Sequence, residues 1–177
     1  MLTYKHPKAK TCEVCERVFV PDRMGQLVCR PACAMARVRN AKKAERESIS
    51  ARKEAIKSKA DWAREAQTAF NAWIRARDEG LPCISCGRHH QGQWHAGHYL
   101  STGARPELRY TESNVHRQCA PCNTHLSGNA VLYRIGLIAK VGIEAVEWLE
   151  GPHELPKWTA DDYRAIRDTY RQKLKEM

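Results

Sequence analysis

Apolar positions are distributed very unevenly along this chain. Over residues 61–79, Trp62, Ala66, Ala69, Phe70, Trp73 and Ile74 recur at three- and four-residue steps. That spacing predicts an amphipathic helix packed on the segment that follows, stopped by Gly80 and Pro82. A last helix is predicted from Thr159, an N-cap with Asp162 three residues on, carrying the stripe Tyr163, Ile166, Tyr170 and Leu174. Residues 129–140 and 143–150 read as short helices broken at Gly142. Two strand-like pieces, near 93–100 and 108–117, flank a Gly/Pro loop. Residues 34–59 differ from all of these. They are rich in Ala, Lys, Arg and Glu, hold no Gly or Pro and few large apolar residues. This predicts a helix about 40 Å long with little to bury.

The eight cysteines fall into two groups of four: Cys12-x2-Cys15 with Cys29-x3-Cys33, and Cys83-x2-Cys86 with Cys119-x2-Cys122. Two such knuckles bring four thiolates to one tetrahedral Zn²⁺, so two structural zinc sites are expected. Four thiolates close the tetrahedron, leaving no open position for water. The N-terminal stretch Met1-Leu2-Thr3-Tyr4-Lys5 has no signal-peptide core and no apolar run is long enough to span a membrane. A cytoplasmic protein without membrane contact and without disulfides is expected.

Charge sharpens the division. The formal net charge is +10, and residues 1–82 hold 18 of the 30 Lys/Arg but 10 of the 20 Asp/Glu. A basic excess concentrated on an unburied helix points to a polyanion, and Arg37, Arg39, Lys42, Lys43 and Arg46 are the candidate DNA contacts. A solvated linker helix would carry the same pattern. The expected architecture is α+β. It comprises an N-terminal zinc module (1–34), a basic helical linker (35–60) and a zinc-stapled core with flanking helices (61–177).

Between and just after the second pair of knuckles lie Trp94-His95-Ala96-Gly97-His98-Tyr99, Ser113-Asn114-Val115-His116 and Asn123-Thr124-His125. Phosphodiester cleavage needs a nucleophilic water and neutralisation of phosphate charge; a neutral imidazole supplies the base and a divalent cation the charge. The order CxxC, HxxH, Asn, CxxC-Asn resembles the HNH, or ββα-metal, nuclease motif. Over nearly the whole chain, the sequence is similar to the NinG (Rap) recombination endonucleases of lambdoid phages. The carriers are Leu81-Pro82-Cys83-Ile84-Ser85-Cys86-Gly87, Ala96-Gly97-His98-Tyr99, Cys119-x2-Cys122-Asn123-x-His125-x-Ser127-Gly128-Asn129 and Gly142-x-Glu144-Ala145-Val146.

The resemblance implies a ββα-metal core and a metal-dependent endonuclease for branched recombination intermediates such as D-loops and Holliday junctions. His98 would be the general base and Asn114 would tie the loop that orients it. His95 and Asn123 would hold a catalytic Mg²⁺ or Mn²⁺, with His125 an alternate ligand or phosphate contact. Many HNH proteins carry a ligand directly before the base, where this chain has Gly97. His95 must then reach in, and because residues three apart on a strand face opposite ways, it needs a bulge at Gly97. Asn123 and His125, two apart, would diverge on a helix. Symmetric junction resolution needs two active sites, so a homodimer is expected. Two other functions fit the same residues: an HNH nuclease without branch specificity, and a non-catalytic zinc-finger DNA-binding protein.

Overall fold

The computed structural model describes residues 8–177; the N-terminal stretch Met1–Lys5 considered above lies outside them. The described residues divide after Ile56 into two compact units. The chain is mixed α and β, with two small two-stranded sheets.

In the first unit, β1 (Lys10–Thr11) pairs antiparallel with β2 (Val18–Phe19), and α1 runs from Pro31 to Ala55. Pro31 suits the first helical turn, where its missing N–H costs nothing. Cys33 is the one buried residue of α1, which is about 38 Å long. The helix therefore starts inside the cysteine module and ends four residues earlier than its composition predicts. It stops because Ser58 caps the next helix. The Ser58 side chain accepts from the Asp61 N–H, and the Asp61 carboxylate accepts from the Ser58 N–H. That reciprocal cap holds Ser58 in extended backbone, which a continuous helix forbids.

The second unit is built on a hairpin. Strand β3 (Trp94–His98) pairs antiparallel with β4 (Val115–Cys119), in the register Trp94↔Cys119 to His98↔Val115. Helix α2 (Lys59–Arg77) and helix α5 (Ala160–Lys175) cover one face. Phe70, Trp73 and Ile74 of α2 and Tyr170 of α5 meet Val115 and Ala96 there. Helices α3 (Ala130–Val141) and α4 (Ile143–Glu150) lie on the other side, where Tyr133, Leu137, Val146 and Leu149 close around Leu108. Fully burying each such side chain stabilises the fold by about 1.5–3 kcal/mol. Thr159 caps α5 with Asp162 in the reciprocal arrangement that the sequence predicts.

The second strand is displaced from its predicted place. Residues 108–114 form no strand; short 3-10 turns occupy Pro106–Leu108 and Glu112–Asn114, and pairing begins only at Val115. Pro106 cannot donate to a ladder, and Asn114 ties the loop into turns instead.

Asp78, at the end of α2, is 2 % exposed and joins three elements. It accepts from Arg77, from Lys140 of α3 and from the Arg117 backbone N–H of β4. Burial opposes its charge, but the Arg77 guanidinium, the Arg117 N–H and the Lys140 ammonium together hold its carboxyl down at about 2.

Candidate functional site

Each cysteine tetrad could hold a Zn²⁺. In both, the four sulfur atoms lie within 4.8 Å of one another. Sulfurs bound tetrahedrally at the usual zinc bond length stand about 3.8 Å apart. Cys15–Cys29 measures 3.5 Å, Cys29–Cys33 3.8 Å and Cys86–Cys119 4.0 Å. The proton affinities diverge within each group. Burial opposes the Cys12 thiolate, but N–H groups of Cys15, Val14 and Cys29 outweigh it and lower Cys12 to about 6. Burial and neighbouring sulfurs push Cys29 and Cys119 up to about 12. Sulfurs this close cannot all ionise without a cation between them.

The second tetrad is part of the hairpin. Cys119 ends β4 and its N–H donates to Cys83 Sγ at 3.4 Å. The Ile84 N–H donates to the Arg117 carbonyl at 3.1 Å. One knuckle is thus fastened to the strand that carries the other.

His98 closes β3 and is half-buried on the α2 face, its ring 6.5 Å from the Phe70 ring. Its Nε2 lies 3.0 Å from the Arg109 carbonyl. A carbonyl only accepts, so the proton sits on Nε2 and Nδ1 keeps its lone pair. Burial, with a smaller contribution from the Arg109 cation, moves the His98 pKa below the ordinary 6.5. The ring is neutral at neutral pH.

Asn114 is fully buried and fully engaged. Its Nδ2 donates to the Leu100 carbonyl at 3.0 Å and the Leu108 carbonyl at 3.2 Å, while its Oδ1 accepts from the Leu100 N–H at 2.9 Å. Its own carbonyl accepts from the Tyr99 N–H, the residue after His98. This side chain ties both ends of the loop that delivers the Arg109 carbonyl.

His95 is not brought to His98. The five-residue register runs without a bulge, so His95 shares a face with Gly97 and His98 shares the opposite one with Ala96. Gly97 has a different task. A Cβ there would stand 2.1 Å from Gln118 Oε1. Gln118 is fully buried and crosses over Gly97, donating from Nε2 to Ser85 Oγ at 2.7 Å and to the Gly128 carbonyl at 2.6 Å. Its Oε1 is buried without a partner. Gln118 thereby links the first knuckle, the loop after the second knuckle and the strand leading to His98. The space that a side chain at 97 would need is filled by this amide. Alternation along β4, with Gln118 two residues from His116, is the signal that could have placed it there.

His116 lies on the same face and is 2 % exposed, with Nδ1 3.5 Å from the Tyr133 hydroxyl, which donates to the Gly97 carbonyl at 2.8 Å. Burial, helped by Lys140 and Arg77, presses its pKa to about 3, so it is a neutral core residue.

Asn123 and His125 sit in a wide turn, Pro121–His125, closed by the Leu126 N–H to the Pro121 carbonyl. They do not share the regular helix α3, which begins seven residues after Asn123. Asn123 is half-buried and His125 exposed, and among the described residues neither side chain has a hydrogen-bond partner. Both are free to take a ligand. Apart from the two tetrads, the described residues contain no group of three or more His, Cys, Asp or Glu poised for a metal. A hard cation in this unit would find no carboxylate cage among the described residues.

On α1, Arg39, Lys42, Lys43 and Arg46 share an exposed surface with Met35 and Val38. Arg37 is engaged elsewhere, its Nε 2.7 Å from Glu13.

Comparison with known proteins adds lineage. The family model described as "Bacteriophage Lambda NinG protein" matches residues 4–177. Relatives called "Protein ninG" are 40% identical over 190 residues in Escherichia phage 933W and 40% over 192 residues in Escherichia phage lambda; each alignment covers 97% of this chain and 94% of the relative. That of Salmonella phage P22 is 41% identical over 184 residues, covering 93% of this chain and 91% of its own length. No solved structure matches.

Proposed function

We propose, from the premise that this chain belongs to the NinG family of lambdoid phage proteins, that it is a metal-dependent DNA endonuclease cutting branched recombination intermediates. The observation that supports this best is the His98–Arg109 contact of 3.0 Å. It fixes the proton on Nε2 and leaves Nδ1 as a neutral base at the end of a braced hairpin. His98 Nδ1 takes a proton from water; the resulting hydroxide attacks phosphorus and the P–O bond to the leaving strand breaks. When bound, a Mg²⁺ or Mn²⁺ would supply positive charge to offset that of the phosphate. Asn123 would hold it, with His125 the next available donor; strand alternation leaves His95 out. Asn114 acts through the loop and positions His98. The two zinc ions are structural. Basic residues of α1 carry sequence-independent affinity for DNA, and branch preference rests on family resemblance.

Purified protein is incubated with Mg²⁺ or Mn²⁺ and labelled linear, three-way and four-way DNA. Wild type should cut the branched forms, and His98→Ala should abolish cutting while binding persists. Binding without cleavage of any substrate would leave a zinc-stapled DNA-binding protein. Equal cutting of linear and branched DNA would remove the branch preference alone.

A further inference from the structure

The loop that supplies the carbonyl for His98 also supplies a cation. Four arginines lie between residues 99 and 134, and two are paired with carboxylates. Arg105 pairs with Glu107 and the Gly151 carbonyl, and Arg134 pairs with both oxygens of Glu150. Arg117 stacks on Trp94, 3.9 Å from the ring centroid, and donates to the Asp78 carbonyl. Arg109 differs. Its Nε donates to Gln67 Oε1 at 2.7 Å, and Gln67 is itself held by Asn71, at 2.7 Å along α2. The guanidinium carbon lies 6.0 Å from the Tyr110 ring, which packs edge-on against Phe70, the ring beside His98. No carboxylate among the described residues pairs with it. Among the described residues, one of its five N–H donors has a protein acceptor.

A half-buried guanidinium normally finds a carboxylate or a phosphate, because its fork matches two oxygens at once. Here the neutral Gln67 amide orients the fork without neutralising its charge. The placement is set by the same backbone that holds the base: the Arg109 carbonyl fixes His98, and the Arg109 side chain extends along α2 from that point. Its electrostatic effect on His98 is in the direction expected of a nearby cation, opposing protonation of the ring.

We propose that the Arg109 guanidinium, oriented by Gln67, binds the non-bridging oxygens of the phosphodiester presented to His98. This rests on the nuclease reading for its catalytic consequence but not for the contact itself. Removing such a donor costs on the order of 10²–10³ in kcat when it meets charge developing in the transition state. Removing one phosphate contact flattens the plot of log affinity against log salt by about 0.9.

The test compares wild type, His98→Ala, Arg109→Gln, Arg109→Lys and Gln67→Ala, each checked for melting temperature and zinc content. Binding to a four-way DNA is measured across a salt series, and cleavage by single-turnover and steady-state kinetics. Arg109→Gln should lower kcat on the order of 10²–10³ and flatten the salt slope by about 0.9, while His98→Ala loses cleavage with the slope intact. Arg109→Lys should restore the slope but only part of kcat, because a point charge lacks the fork. Gln67→Ala, which leaves residue 109 untouched and covers the case in which Arg109→Gln does not fold, should lower kcat several-fold. Wild-type cleavage and salt slope in both Arg109→Gln and Gln67→Ala would overturn the proposal. If wild type cuts nothing, the nuclease reading fails, and the salt slope of Arg109→Gln still decides the contact. A slope equal to wild type overturns it and a flattened slope supports it.

Discussion

Cys12, Cys15, Cys29 and Cys33 close a unit whose 25-residue helix buries one side chain, whereas Cys83, Cys86, Cys119 and Cys122 border a unit with three further apolar clusters. The ligand sets are alike and their surroundings are opposite. In the first unit little apart from the cysteines is buried, so a metal there would supply most of the folding energy. In the second, α2, α5, α3 and α4 have apolar partners of their own, and the tetrad shapes one end of the hairpin. The same chemistry serves as a foundation in one unit and as a fastening in the other.

The most severe way to break this comparison is to remove metal. With chelator, amides of β1–β2 and the first turn of α1 should lose hydrogen-exchange protection, while those of α2 and α5 should keep it. Loss of protection in α2 and α5 at the same chelator concentration would mean that the second core depends on its tetrad too.

Asn114→Ala sharpens the comparison inside the second unit. It leaves the Leu100 carbonyl and N–H unpaired and takes one of two donors from the Leu108 carbonyl, at a cost of about 2–4 kcal/mol in urea unfolding. Cleavage should fall with it because His98 loses its brace. An unfolding midpoint like wild type would show that the loop is held by packing instead.

Acid should separate the units further. The folded pKa of Asp78, about 2, lies below the ordinary 3.8. A depressed carboxylate stabilises the fold fully above its unfolded pKa. Its contribution, about 2 kcal/mol, is lost as pH falls from about 4 through about 2. Asp78→Asn should flatten that part of the stability profile in the second unit. A profile of unchanged slope would place the acid sensitivity elsewhere.

The smallest effect on stability is expected on α1. Replacing Arg39, Lys42, Lys43 and Arg46 with Gln should change stability by less than about 0.5 kcal/mol, yet weaken DNA binding and flatten its salt dependence. Arg37→Gln should do less to binding, since Glu13 already pairs with it. An unchanged salt slope in the fourfold variant would make α1 a spacer.

The two units also differed in how far they could be read from sequence. The stripe Trp62–Ile74 and the Thr159–Asp162 cap announced α2 and α5 because burial and capping leave periodic, local marks. The cysteine spacing announced both tetrads. The break between α1 and α2 was written in Ser58 and Asp61, but a run of helix formers around them masked a cap that acts over three residues. Residues 108–114 looked like a strand because their turns are imposed by Asn114 bonding across the loop, a contact with no local pattern. In the candidate site, order along the chain drew attention to His98, Asn114 and Asn123, and of these the buried bracing role of Asn114 is the one its bonds display. Arg109 was not legible, since its carbonyl acts through backbone and its side chain through α2, neither of which a motif records. His95 was misplaced because the bulge it needed is absent from the register.

That register also constrains how this protein can change. Gly97 and Gln118 stand 21 positions apart in sequence yet behave as one locus, since any side chain at 97 meets the amide at 118. A side chain at 97 requires Gln118 itself to shift, since its Oε1 would stand 2.1 Å and its Cβ 2.9 Å from the added Cβ. Shortening Gln118 first would untie Ser85 of the first knuckle and Gly128 after the second from β4. Either order passes through a weakened intermediate. A survey of relatives should therefore find glycine with glutamine, or a larger residue with a smaller one, and rarely a mixture.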